Sequence, residues 1–331
     1  MRFKIEKKEA QKPMKQPIAL LLAVYEPNIE WLVELLDSLN AQTYEPIRLY
    51  VRDDASPTFS PRQLEQLLQE HITKFPYVLH QNEKNLGSNK TFEALVRDAS
   101  EPYIAFCDQD DIWLPEKLAN TVALFEESPL DPTLVCTDLR IIDGDGNEIA
   151  PSMEQHRRRH VFLRGTGLAP TLIYRNFAMG CTMVMERERA LSYLPFPNEI
   201  VHDHYLAFRA AADGAIDFLR EPQILYRVYG GNQTGVMTGV SDKTDYLKRR
   251  IQLFDDRVNH FAEFATFPEL EDAKQWSRAR LANFHREKGG FRALWRMRRV
   301  NFVTTVFELF ALRLPLPIFR FAIRLVQKGV L

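Results

Sequence analysis

The sequence predicts an α/β protein with a mostly parallel sheet covered by helices on both faces, followed by a helical extension. Three observations carry this. Short apolar runs alternate with segments of helical periodicity through the first hundred or so residues. Those runs end in polar or acidic loops, as buried parallel strands do where they reach the ligand edge of a sheet. Beyond roughly Ser241 only helical spacing recurs. The resulting division is a flexible lead over residues 1–16, a main domain over 17–240 and a helical region over 241–331.

Ile18 to Tyr25 (IALLLAVY) is continuously apolar between Pro17 and Glu26-Pro27, the pattern of a strand buried on both faces. Asn28 then offers a helix cap, and Trp31, Leu32, Leu35, Leu36 and Leu39 follow at helical spacing. Ile47 to Val51 is a second strand ending in RDDAS, and Leu64, Leu67, Leu68 and Ile72 share one face of a second helix. Tyr77 to His80 is the third strand, the polar loop NEKNLGSNK leads into a helix ending near Ala99, and Tyr103 to Cys107 is the fourth strand. A helix from about Pro115 to Ser128, a strand over Thr133 to Leu139 and a hairpin turn in IDGDGNEI come next. The basic stretch from Met153 to Thr171 reads as a mobile loop. Ala178 to Met185 reads as a strand, Tyr205 to Ala212 as a helix, and Ile216 to Leu219 and Ile224 to Val228 as two short strands.

Composition is that of an ordinary globular chain: 331 residues, 45% hydrophobic, 26% charged and a net charge of -1. The three cysteines stand far apart, which suggests neither a disulfide framework nor a thiolate metal site and fits a reducing compartment. The start, MRFKIEKKEAQKPMKQ, has no apolar core of a secretory signal, and no run approaches the ~20 apolar residues of a membrane span. Localisation in the cytoplasm, or peripherally on the cytoplasmic face of a membrane, is the expectation. Charge is distributed unevenly: from Arg286 to Leu331 there are ten Lys/Arg against two Glu.

The acidic edge carries the chemistry. Asp108, Asp110 and Asp111 in FCDQDDIW follow the fourth strand, and carboxylates made to converge repel unless a cation relieves them. Oxygen ligands suit Mg²⁺ or Mn²⁺, which complete their shells with phosphates and water. Asp111 also has a plainer use, as the cap of the helix behind it. Asp53 and Asp54 follow the second strand, where a carboxylate accepts a base imide or a ribose hydroxyl, or simply forms an Asx turn before Pro57.

Four ordered motifs, IALLLAVYEP, LYVRDDAS, NEKNLGSNKTFEAL and FCDQDDIWLPEKL, resemble the nucleotide-sugar half of a family 2 glycosyltransferase of the GT-A fold. The resemblance runs over about residues 17–235 and takes in IVHDHY and YRVYGGNQTG. DQDDIW is similar to the version found in bacterial rhamnosyltransferase-like members. It implies that Tyr25 stacks beside the nucleotide base, Asp54 holds its imide edge and Asp53 supports the strand end. It further implies that Asn85 and Gly87 line the nucleotide, that Asp108 and Asp110 form a DxD metal site, and that Asp111 faces the sugar or caps the helix. Asp110 is then the direct metal ligand and Asp108 lies near the ribose or metal. Asp203 matches the catalytic base, and Asn232 and Gln233 belong to a flap over the diphosphate. Two departures stand out: His202 replaces an acidic neighbour of Asp203, and Tyr229 stands where relatives place a histidine able to help bind the metal. On a strand, His202 and His204 would point away from Asp203, which makes both poor metal ligands.

The implied reaction is inverting transfer from a nucleotide-diphosphate sugar, UDP- or dTDP-linked, to a hydroxyl of a glycan or lipid-linked glycan of the cell envelope. The competing readings are a sugar-phosphate nucleotidylyltransferase and a non-catalytic nucleotide-sugar-binding scaffold. The first ordinarily has a glycine-rich basic segment after strand one, and YEPNIEWLVELL has none. The tail over 291–331 interleaves arginine with Trp, Phe and Leu. That composition suits either a membrane surface or packing on the domain or a second subunit in a homo-oligomer. No nucleic-acid motif accompanies it.

Overall fold

The computed structural model describes residues 15–157, 160–229, 237 and 239–327. The first half is built by strict alternation: β1 (Ile18–Val24), α1 (Ile29–Asn40), β2 (Ile47–Asp53), α2 (Pro61–His71), β3 (Tyr77–Gln81), α3 (Ser88–Asp98) and β4 (Tyr103–Cys107). Asn28 and Ser60 cap α1 and α2, the latter in a reciprocal capping box with Gln63. The four strands are parallel in the order β3-β2-β1-β4. Val24 pairs with Asp53, Asp53 with Gln81 and Leu22 with Cys107, so Tyr25, Asp54, Asn82 and Asp108 emerge along one edge.

The second half extends this sheet with mixed strand directions. It comprises β5 (Ile112–Trp113), α4 (Lys117–Glu127), β6 (Pro132–Ile142), β7 (Glu148–Ala150), α5 (Met153–His156), α6 (Ala169–Leu172), β8 (Val184–Glu186), α7 (Arg187–Ser192), α8 (His202–Asp213) and β9 (Ala215–Arg227). The full order is β3-β2-β1-β4-β8-β6-β9-β5, with β7 on β6. Helical chain follows: α9 (Lys243–Tyr246), a π-turn over Leu247–Gln252, α10 (Leu253–Phe261), α11 (Pro268–Phe284), α12 (Gly290–Arg296), α13 (Phe302–Ala311) and α14 (Leu316–Gln327). Phe254, Phe261, Trp276, Leu294 and Leu309 join the same apolar core as the sheet, while Val240, Tyr246, Phe319 and Ile323 form a small second cluster.

Several sequence expectations are corrected. Ala178 to Met185 is not a strand: a 3₁₀ turn over Gly180–Thr182 precedes the three-residue β8. Ile216 to Leu219 and Ile224 to Val228 are one strand, β9, bent by irregular register against β6. In the segment expected as a mobile loop, described residues on both sides of 158–159 pack into the domain: Met153 and Phe162 are buried and Phe162 stacks on Phe218 at 4.2 Å. Helix α8 starts three residues earlier than expected, which moves Asp203 and both neighbouring histidines from a strand into a first helical turn.

Candidate active site

The acidic loop between β4 and β5 is held by long-range bonds. Gln109 clasps the backbone of Tyr25, its Oε1 accepting from Tyr25 N at 2.9 Å and its Nε2 donating to Tyr25 O at 3.0 Å. Tyr25 itself is exposed beside it. From β9, the buried Arg227 donates to Asp110 O at 3.0 Å and Gly144 O at 3.1 Å, and pairs with Glu34 of α1. Its backbone N–H donates to Asp111 Oδ1 at 3.2 Å. Asp111 is fully buried, and α4 begins only at Lys117, after Glu116, whose side chain makes no capping bond. Asp111 therefore caps no helix and faces no open donor space; it fastens the loop to β9.

Asp108 and Asp110 remain half-buried at the sheet edge. Desolvation, then the charges of Asp110 and Asp203, push the Asp108 carboxyl up to about 7, so these three groups share one field. Desolvation also raises Asp110, opposed by the Tyr229 hydroxyl, which donates to its Oδ2 at 2.8 Å. The tyrosine thus serves the acidic loop as a donor rather than a ligand, and burial beside Asp110 raises its own pKa. One ligand atom each from Asp108, Asp111 and Cys181 lies within 4.8 Å of the others. Burial and the two aspartates hold the Cys181 thiol protonated. Asp110 lies outside this cluster, so the expected Asp108 and Asp110 pair is not what brings the three ligand atoms together; the donors the acidic loop offers are carboxylate oxygens, which fit Mg²⁺ or Mn²⁺.

Asp203 sits in the first turn of α8, half-buried, accepting from the backbone N–H groups of Gly180 and His204. Burial lifts it to about 6, against those bonds and one from the Asn176 side chain. His202 and His204 are buried and pushed down to about 3 by desolvation, hence neutral. The His202 ring packs on Phe92 at 4.3 Å and His204 Nε2 lies 2.6 Å from Leu172 O.

Asp54 is buried and bonded within its own neighbourhood. Its Oδ1 accepts from Asn82 Nδ2 at 2.7 Å and Leu86 N at 2.8 Å, and its Oδ2 from Gly87 N at 2.9 Å. This carboxylate anchors the NEKNLG loop. Asp53, fully buried, accepts from Gln81 Nε2 at 3.0 Å and braces the end of β2. Gly87 takes φ +81° ahead of α3, a conformation that favours glycine, while Asn85 is exposed on the loop. Asn232 and Gln233 lie outside the described residues.

Sequence reading passed over four residues that build this site: Gln109, Arg227, Asn89 and Lys117. Asn89 on α3 accepts from His202 N at 2.9 Å and donates to Ile200 O at 2.7 Å, capping α8 from another element. Lys117 is fully buried with its ammonium 3.3 Å from the centroid of the Trp113 ring, beneath Asp111, and desolvation lowers it to about 8.

The profile of glycosyl transferase family 2 matches residues 21–189. The chain belongs to this family. The matched stretch includes Tyr25, both acidic strand ends and the FCDQDDIW loop, and ends before Asp203. Among its relatives, the uncharacterized protein Rv1520 of Mycobacterium tuberculosis is 29% identical over 60% of this chain and 55% of its own length. The chain thus spans about half of that relative. The dTDP-rhamnosyl transferase RfbG of Shigella flexneri is 25% identical over 65% of this chain and 74% of its own. Two solved structures share the fold at 16% identity. The TarS 1-349 fragment of S. aureus, solved with UDP-GlcNAc, gives a TM-score of 0.59 over 96% of this chain and 92% of that one. The mannosyltransferase PcManGT of Pyrobaculum calidifontis, solved with GDP-Man and Mn²⁺, gives 0.55 over 96% and 80%.

Proposed function

We propose that the chain is a metal-dependent, inverting glycosyltransferase that takes a nucleotide-diphosphate sugar and glycosylates a hydroxyl of a cell-envelope glycan or lipid-linked glycan. The observation that carries this reading is Asp203, a carboxylate of pKa about 6 at a helix start, close enough to the acidic loop for its charge to raise Asp108. A base poised just below neutrality is ionised at working pH yet still basic enough to take a proton.

In this reading Asp203 accepts the acceptor O–H proton as that oxygen bonds to the anomeric carbon. The bond from that carbon to the diphosphate oxygen breaks on the opposite face, and the diphosphate leaves with the electron pair. A divalent cation held by Asp108 and Asp110, Asp110 being the direct ligand, supplies positive charge for the leaving diphosphate when bound. Tyr25 provides an exposed ring for the base, and the loop that Asp54 anchors, with Asn85 and Gly87, lines the nucleotide. RfbG is named for dTDP-rhamnose transfer and TarS was solved with UDP-GlcNAc, which supports a UDP- or dTDP-linked donor. The Mn²⁺ in PcManGT supports the choice of ion.

The test is turnover of UDP-, dTDP- and GDP-sugars with Mn²⁺, comparing wild type with Asp110→Ala. Metal-dependent turnover lost in the variant is expected. Absence of turnover with every donor, together with no metal-dependent nucleotide binding, overturns the reading.

A further inference from the structure

Helices α12 to α14 carry their side chains in the wrong arrangement for a surface turned to water. α13 buries Thr305 and Glu308 while exposing Phe302 at 58%, Val303 at 65% and Phe310 at 62%. The buried polar groups are fully employed: Trp276 Nε1 donates to Thr305 Oγ1 at 2.9 Å, and Arg280 and the Tyr246 hydroxyl bind Glu308 at 2.6 and 3.0 Å. Val303 and Phe310 are two turns apart on one side, with the half-buried Val306 between them. In α14, Phe319 and Ile323 enter the small apolar cluster while Leu316, Ile318 and Phe321 point outward. A helix apolar on both sides is one that is covered on both sides. Phe291 and Trp295 add two exposed rings from α12.

Charge identifies the cover. From Gly290 to Gln327 the chain has seven arginines and one acid, Glu308, which is buried against Arg280. Every exposed charge on this stretch is therefore positive, including Arg292, Arg296, Arg299 and Arg324. A second copy meeting the same face by two-fold symmetry would set arginine against arginine. An anionic bilayer surface satisfies both features, taking the rings into the boundary between headgroups and acyl chains and the guanidinium groups onto phosphates. Among the described residues no helix is long and apolar enough to cross a membrane, so the contact lies in the interface plane.

We infer that α12 to α14 form a docking surface for an anionic lipid bilayer, which brings the acidic edge to an acceptor carried at that membrane. The biological purpose rests on the transfer reading, but vesicle binding is measured without donor, metal or acceptor, so the two can fail separately.

The full chain should float with vesicles rich in phosphatidylglycerol, much less with pure phosphatidylcholine, and less at high salt. A Phe302→Ser/Phe310→Ser/Phe321→Ser variant should lose binding by about tenfold or more, with its circular dichroism and metal-dependent nucleotide binding unchanged. In wild type, brominated lipids should quench a share of fluorescence that Trp295→Phe removes, a readout independent of the triple variant's folding. Wild type that stays soluble with anionic vesicles overturns the inference. So does a triple variant that floats normally, or a wild-type dimer in lipid-free solution that the triple variant dissolves.

Discussion

Asp203 is the residue on which chemistry turns, and its surroundings make specific demands. Asp203→Asn keeps the side chain's size and, through its one amide oxygen, one of the two backbone bonds from Gly180 and His204, but it cannot take a proton. Turnover should fall by about 10²- to 10⁴-fold with donor affinity, measured by calorimetry, little changed. Because burial raises the wild-type group to about 6, kcat/KM at saturating Mn²⁺, where the ion replaces the proton on Asp108, should lose activity as pH falls through that value and be level above it. Equal transfer by the asparagine variant, or a flat profile through pH 6, removes Asp203 as base. Gly180 is the second sensitive point. A Cβ there would stand 3.1 Å from His202 Nε2 and 3.5 Å from Asp203 Cβ, and the imidazole is boxed by Phe92 and Phe106. Gly180→Ala should therefore displace the base, cutting kcat at least tenfold or so while the KM for donor holds. A KM rise with unchanged kcat would place the damage elsewhere.

At the scale of elements, the site is a junction of α1, β4, α8 and β9 fastened by a few side chains. Arg227 is the principal fastener, satisfying carbonyls of Asp110, Asp143 and Gly144 and pairing with Glu34. Arg227→Met leaves those half-buried carbonyls without this donor, at about 1–3 kcal/mol for each that water cannot reach. Urea unfolding should show a loss of about 3 kcal/mol and weaker Mn²⁺ binding; a variant as stable as wild type contradicts this role. These contacts also explain what the sequence could reveal. The alternation from β1 to β4 was legible because β1, β2 and β4 are largely buried on both faces and each helix shows its apolar stripe locally. The acidic strand ends followed from that, since register places them on one edge. Arg227 was illegible because its ion pair with Glu34 spans 193 positions, and Asn89 because it caps α8 from 113 positions away. The anchoring by Asp54 was illegible for the same reason: its partners Asn82, Leu86 and Gly87 form a turn after β3 that propensity does not announce. The helical start of VHDHY was missed because its cap comes from α3 and not from the preceding residue.

For the whole molecule, the acidic edge couples stability to pH and metal. Asp108 and Asp203 are raised to about 7 and about 6, so the fold keeps protons that an unfolded chain releases near pH 4. Where the folded state binds more protons, stability falls as pH rises. The metal-free protein should thus lose stability from about pH 4 to about pH 7. A divalent ion replaces the missing protons, and ligand binding stabilises by mass action. Saturating Mn²⁺ should therefore raise Tm more at about pH 7.5 than at about pH 5, by roughly 3 °C or more, and Asp110→Ala should abolish the difference. An equal shift at both pH values would separate the ion from these carboxylates. The helical region must be intact in such experiments. Trp276, Leu294 and Leu309 belong to the core shared with the sheet, and the Arg280 to Glu308 pair is buried beneath α13. Deleting the chain after Gly290 removes Glu308, leaves Arg280 as an unpaired buried cation and strips core contacts, at about 3–5 kcal/mol for the broken pair alone. Truncation should consequently yield insoluble protein instead of a soluble enzyme freed from membranes, whereas the exposed Phe302, Phe310 and Phe321 can be changed one by one on a chain that still folds.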